Sequence, residues 1–162
     1  MTSQLSPHVS PATTARRPPL VMLIEDHADG ARAGAALVNA GIVVRHVCSE
    51  EEAAATLNYV APDLLLVGWH DDGFDGRAIL ARLKIKHPIS QGIPAIIMAG
   101  QKVSEFTRYN LSRLEVKLIL EKPVATTVLS QLIIRILNQG AFASGKCRPG
   151  AVAAAAPQRA LV

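Results

Sequence analysis

An α/β fold, with one parallel sheet covered on both faces by helices, is what the sequence predicts. Short apolar runs without polar alternation recur at residues 20–24, 64–67 and 95–98, as expected of strands buried on both faces. Segments with helical content separate them. Glycine or proline stands at several junctions, where a helix must stop.

The elements follow in order. Residues 20–24 form the first strand, and a helix spans about 28–39, with Gly41 placed as its stop. Residues 42–47 are the second strand. Ser49 then begins a capping-box pattern, with Glu52 three residues on, for a helix reaching about Tyr59. The third strand, 64–67, leads into a helix around 76–86 that ends before Pro88. Residues 95–98 are the fourth strand, about 102–112 a helix, and 116–120 the fifth strand. A last helix over about 125–138 places Val128, Leu129, Leu132, Ile133 and Ile136 on one face. Right-handed crossovers leave few topologies for such a chain, and the flavodoxin-like order 2-1-3-4-5 is a common one.

The 162 residues allow one domain, expected over 18–140, between a flexible N-terminal tail at 1–17 and a flexible Ala/Pro/Gly-rich tail at 141–162. The formal charge is +4, but Arg16, Arg17, Lys146, Arg148 and Arg159 lie in the tails and no acidic residue does. The central segment therefore has 17 − 5 = 12 basic residues against 13 acidic ones, which argues against a nucleic-acid-binding face. Two dissimilar cysteines, Cys48 and Cys147, suggest reduced thiols rather than a disulfide framework. No charge-free apolar run approaches the roughly 20 residues that span a bilayer, and the N-terminus lacks the order of a secretory signal. A cytoplasmic protein is expected, without membrane contact.

In doubly wound sheets, sites form at the C-terminal ends of the strands, beside the topological switch point. Those positions hold Glu25 and Asp26 after the first strand, Gly68 after the third, Ala99 after the fourth and Lys122 after the fifth. Four stretches stand there: LIEDH at 23–27, PDLLLVGWHDDGFDG at 62–76, IPAIIMAG at 93–100 and EKP at 121–123. Together, in this order, they resemble the CheY-like receiver domains of bacterial response regulators, over residues 18–139. The resemblance implies an acidic pair for Mg2+ at Glu25 and Asp26 and a phosphate-contacting lysine at Lys122, whose bond to Pro123 is a candidate cis peptide. It also implies a loop-closing Asp75-Gly76. The match is degenerate, because the phosphoacceptor position is Gly68, the hydroxyl position Ala99, the usual aromatic position Ile119, and the usual loop proline Asp72.

Phosphoryl transfer needs a nucleophilic oxygen held in line with the donor, which neither glycine nor alanine supplies. Mg2+ loses a carboxylate at Gly68 as well, so no cofactor is expected, with Mg2+ at most weakly bound. Lys122 is expected to pair with Glu25 and Asp26. The resemblance then implies a stand-alone receiver in two-component (phosphorelay) signalling, not an enzyme, acting through protein contact. Its partner would be a histidine kinase or an output protein, and the domain itself a monomer or weak homodimer. The expected contact face is that of the fourth helix, fifth strand and last helix, with Lys102, Arg108, Arg113, Lys117, Ile119 and Arg135.

Two other readings use the same loops. Asp71 or Asp72 offers a substitute phosphoacceptor, although both lie three or four residues past Gly68. Asp26, His27 and His70 suit a transition ion or a metal-dependent activity, because imidazole and carboxylate are its ligands. The absence of an H-x-x-x-H or C-x-x-C spacing argues against that, and the two loop histidines are expected in solvent. Asp75 is expected to cap the following helix, Gly30 and Gly34 to permit close helix packing, and Trp69 to pack in the core.

Overall fold

The computed structural model describes residues 17–143, so the expected tails at 1–17 and 141–162 fall almost wholly outside the described residues. Five strands, β1 (Leu20–Ile24), β2 (Val43–Val47), β3 (Leu64–Trp69), β4 (Ala95–Ala99) and β5 (Val116–Glu121), form one parallel sheet in the order β2-β1-β3-β4-β5. Five helices connect and cover them: α1 (Ala28–Asn39), α2 (Glu50–Leu57), α3 (Gly76–Lys86), α4 (Glu105–Ser112) and α5 (Thr126–Ala143). The expected fold class and strand order are those observed.

Side chains of a strand alternate between faces, and each buried strand here feeds two cores. Met22 and Ile24, Leu65 and Val67, and Ala95 and Ile97 join one cluster, closed by Leu57 of α2 and by Ile79, Leu80 and Leu83 of α3. Val21 and Leu23, Leu64 and Leu66, and Ile96 and Met98 join the other, closed by Leu37 of α1 and by Leu129 and Ile133 of α5. Burial on both faces is why these strands read as unbroken apolar runs. β5 is an edge strand and only half-buried.

Local signals fix the helix starts. Ser49 Oγ accepts from Glu52 N–H at 3.2 Å, and the Glu52 carboxylate reaches back to Cys48 N–H at 2.8 Å. Asp75 Oδ1 accepts from Arg77 N–H and Ala78 N–H at the start of α3. Burial opposes ionisation of Asp75, but Arg77 and these amides outweigh it and lower the Asp75 pKa.

Several expectations are corrected. β3 runs two residues past Val67, so Gly68 lies inside the strand rather than beyond it; Gly68 and Trp69 continue the pairing with β4 opposite Met98 and Ala99. α4 starts at Glu105, not near 102, because Ser104 caps it by accepting from Thr107 N–H. α2 stops at Leu57, before Tyr59. On α5, Leu129 and Ile133 are buried, but Val128 is 47% exposed and belongs to the outer side of the helix. Ile136, as expected, and Leu137 pack partly buried against the same cluster.

Candidate functional site: a closed pocket at the strand ends

The ends of β1, β3 and β5 converge on one carboxylate. Glu25 follows β1 directly, and it is fully buried. Its Oε2 accepts from Lys122 Nζ at 2.7 Å, and its Oε1 lies 2.7 Å from His70 Nε2. Lys122 and His70 side chains are each only 11% exposed. Three backbone features hold this cluster. Glu25 N–H donates to Val47 O, His46 Nε2 lies 2.7 Å from Glu25 O, and Lys122 N–H donates to Ala99 O at 2.8 Å. The Lys122-Pro123 peptide is cis.

Gly68 is what admits Glu25. A Cβ at Gly68 would stand 1.9 Å from Glu25 Oε2 and 2.3 Å from its Cδ. The Glu25 carboxylate thus fills the space into which a side chain at 68 would project. Gly30 supports the same arrangement from α1, since a Cβ there would stand 2.7 Å from Glu25 Cγ. Gly34 meets only ordinary contacts, at 3.6 Å. Gly76 is a tighter case: its Cβ would lie 1.8 Å from Gly68 O, so α3 begins against the backbone of β3.

Around this centre lies a second ring. His27 Nδ1 is 2.5 Å from Asp26 Oδ1 and 3.6 Å from Glu25 Oε1, and His27 Nε2 is 3.0 Å from Asp72 Oδ2. The His27 and His70 rings stack with centroids 3.8 Å apart. Hydrogen bonding to Asp72, then to Asp26, raises the His27 pKa, and His27 in turn lowers that of Asp72. The Lys122 ammonium is 3.6 Å from Asp29.

The expected pairing of Lys122 with both Glu25 and Asp26 is therefore corrected. Lys122 contacts Glu25 and Asp29, while Asp26 turns outward to His27. The two histidines are not solvent residues either; His70 is inserted beside Glu25, because it follows β3 two residues later than the expected strand end. Asp72 is an exposed carboxylate but engaged by His27, and Asp71 is exposed. Ala99 ends β4 fully buried, paired with Trp69, whose ring carries Arg77 at 3.8 Å. His46 and Asp29 were not singled out by the sequence, which offers no motif for either.

Mg2+, which the resemblance implies, does not fit these residues. It requires octahedral oxygen ligands, and Gly68 contributes none. Glu25 is held by an ammonium and an imidazole, and a second imidazole faces Asp26.

Of the residues expected at the contact face, Lys102, Arg113, Lys117 and Arg135 are exposed and Arg108 and Ile119 half-buried. Arg108, Val116, Lys117, Leu118 and Ile119 line a shallow groove between α4 and β5, and Val128, Gln131, Leu132 and Arg135 line another on α5. Phe106 and Tyr109 of α4 are 75% and 65% exposed. No motif in the sequence marks these two aromatics, although large apolar side chains left in solvent mark contact surfaces when they cluster.

Five parallel strands in the order 2-1-3-4-5, with helices on both faces, give the fold of a CheY-like receiver domain. Solved structures agree. The receiver domain of a CheY-like response regulator from Methanospirillum hungatei superposes with a TM-score of 0.64 at 18% identity, covering 75% of this chain and 95% of that one. That of a Francisella response regulator gives 0.63 at 21%, covering 75% and 98%. The receiver domain of a histidine kinase from Syntrophus aciditrophicus gives 0.62 at 22%, covering 75% and 91%. The chain matches no protein-family model, and no curated protein matches it in sequence. Among the described residues, no helix is long and apolar enough to cross a membrane.

Proposed function

We propose that the chain is a receiver-type interaction module of two-component signalling that works by protein contact, without phosphoryl switching. The observation that carries this reading is the Glu25 carboxylate standing where an acceptor side chain at position 68 would project, bonded to Lys122. A phosphoryl group needs that space, an oxygen nucleophile in line, and a free cation for its equatorial oxygens. Here the space is filled and the cation is paired. Asp72 is a poor substitute acceptor, since its carboxylate is bonded to His27; Asp71 is exposed, on the loop outside the pocket.

The module has no enzymatic role in this reading, needs no Mg2+, and acts in the cytoplasm as a monomer or weak homodimer. Its partner is a histidine kinase or an output protein, met through α4, β5 and α5. Basic side chains beside exposed Tyr109, Phe106 and Val128 give that face the aromatic-plus-arginine chemistry enriched in protein interfaces. A photo-crosslinking side chain at Tyr109, with a control at Val38 on α1, tests this in the native cell. Capture of a signalling protein through position 109, unchanged by phosphodonor, is expected. Capture only through position 38, or only after phosphodonor and Mg2+ are supplied, contradicts it.

A further inference from the structure

We propose that Glu25, Asp26, His27 and His70 form a binding site for a borderline divalent transition ion, with Zn2+ as the representative case. One ligand atom from each of the four lies within 4.8 Å of the others. The linking distances are 2.5 Å from Asp26 Oδ1 to His27 Nδ1, 3.6 Å from there to Glu25 Oε1, and 2.7 Å on to His70 Nε2. Ligands of a tetrahedral Zn2+, at about 2.0–2.1 Å from the metal, stand about 3.3 Å apart. The observed contacts bracket that edge, and the remaining pairs of ligand atoms lie within 4.8 Å.

Two further observations point to an ion. The first concerns His70 Nε2, which lies 2.7 Å from Glu25 Oε1 and 2.8 Å from Lys122 Nζ. If this nitrogen carries a proton it can donate to the carboxylate but faces the ammonium as a second donor. If it carries none it can accept from the ammonium but turns a lone pair on the carboxylate. A dication on Nε2 and Oε1 takes both of these lone pairs, and the ammonium then keeps Glu25 Oε2 and its neighbour Asp29 and gives up its contact with Nε2. The second is Asp72. Metal-binding histidines commonly give their other ring N–H to a carboxylate that fixes the ring, and His27 Nε2 has Asp72 Oδ2 at 3.0 Å. Charge agrees, since Glu25 and Asp29 face the ammonium of Lys122 while Asp26 and Asp72 face only the His27 imidazole.

Two imidazoles with two carboxylates suit Zn2+, Co2+, Ni2+ or Cu2+ and not Mg2+. The ion would tie the β1 end to the β3–α3 loop, joining in one ligand set the two segments that Gly68 leaves without a shared carboxylate. No motif spacing in the sequence marks the histidines, because three of the four ligands are consecutive and the fourth arrives through the fold.

The test is titration of the full chain, purified without an affinity tag, with Zn2+ alone against a chromophoric chelator. One Zn2+ per chain is expected, unmoved by Cys48→Ser with Cys147→Ser and not displaced by millimolar Mg2+. His27→Ala and His70→Ala should each weaken binding by about tenfold or more, and together abolish it. Asp72→Asn, at an exposed position that leaves the core intact, should weaken it by about tenfold. Co2+ should give visible absorption of tetrahedral nitrogen and oxygen coordination, lost in His70→Ala. The proposal is overturned by no stoichiometric binding, by displacement with Mg2+, or by Zn2+ binding that survives loss of both histidines. Binding is read without any partner, so its failure leaves the contact face unaffected.

Discussion

Gly68 and Glu25 divide one volume between them, and neither is intelligible alone. In the sequence, Gly68 reads as a missing carboxylate; in the structure it is also the opening through which Glu25 reaches Lys122 and His70. That coupling is measurable. Gly68→Ala should destabilise the native protein, and should cost less in a Glu25→Ala background, where the overlapping carboxylate is gone. A double-mutant cycle by chemical denaturation is expected to give a coupling of about 1 kcal/mol or more. Simple additivity would mean that the two side-chain positions do not share space. The same overlap means that Gly68→Asp cannot by itself rebuild a metal or acceptor site, since Glu25 must first be displaced. The sequence showed that an oxygen was absent, but not which side chain had taken its place, because that depends on a side-chain path across two strands.

At the scale of elements, the strands and helices were legible wherever a local cause fixes them. Apolar runs marked β1, β3 and β4, Ser49 marked α2, and Asp75 marked α3. What was not legible came from tertiary contact. β3 extends through Gly68 and Trp69 because β4 offers them ladder partners, which glycine's poor strand propensity conceals. That two-residue extension is also what carries His70 into the pocket. The β4–β5 connection holds another hidden device. Glu115 takes a left-handed backbone (φ 63°), and its carboxylate accepts from Lys84 Nζ at 2.7 Å and Gly92 N–H at 2.6 Å. Burial opposes its ionisation, but Lys84 and Gly92 outweigh this and lower the Glu115 pKa below its usual 4.5. A carboxylate with a depressed folded pKa contributes stability above its unfolded pKa and loses it as pH falls through the folded value. Denaturation of the native protein and Glu115→Gln across the acid range should therefore converge as pH falls. Curves that stay parallel would contradict the pairing.

For the whole molecule, the sheet order and the two cores were predictable because parallel crossovers permit so few arrangements. The pocket's content was predictable only in part. Which residues stand at the strand ends follows from topology; that Glu25, His70 and Lys122 close on one another does not. The tertiary arrangement presents two distinct regions. A strand-end pocket locked by a buried ion pair lies at the C-terminal ends of the interior strands β1 and β3, and an exposed face with Phe106, Tyr109 and Arg135 lies on α4 and α5. Ala99 is buried and Ile119 half-buried, so neither position holds the hydroxyl or the aromatic ring that the resemblance implies. On this account the contact face is fixed, and no phosphoryl group enters the pocket. The most direct measurement is the intact mass of the full chain after incubation with a small phosphodonor and Mg2+. An unchanged mass is predicted, and a stoichiometric phosphoryl adduct mapping to Asp71 or Asp72 would contradict it.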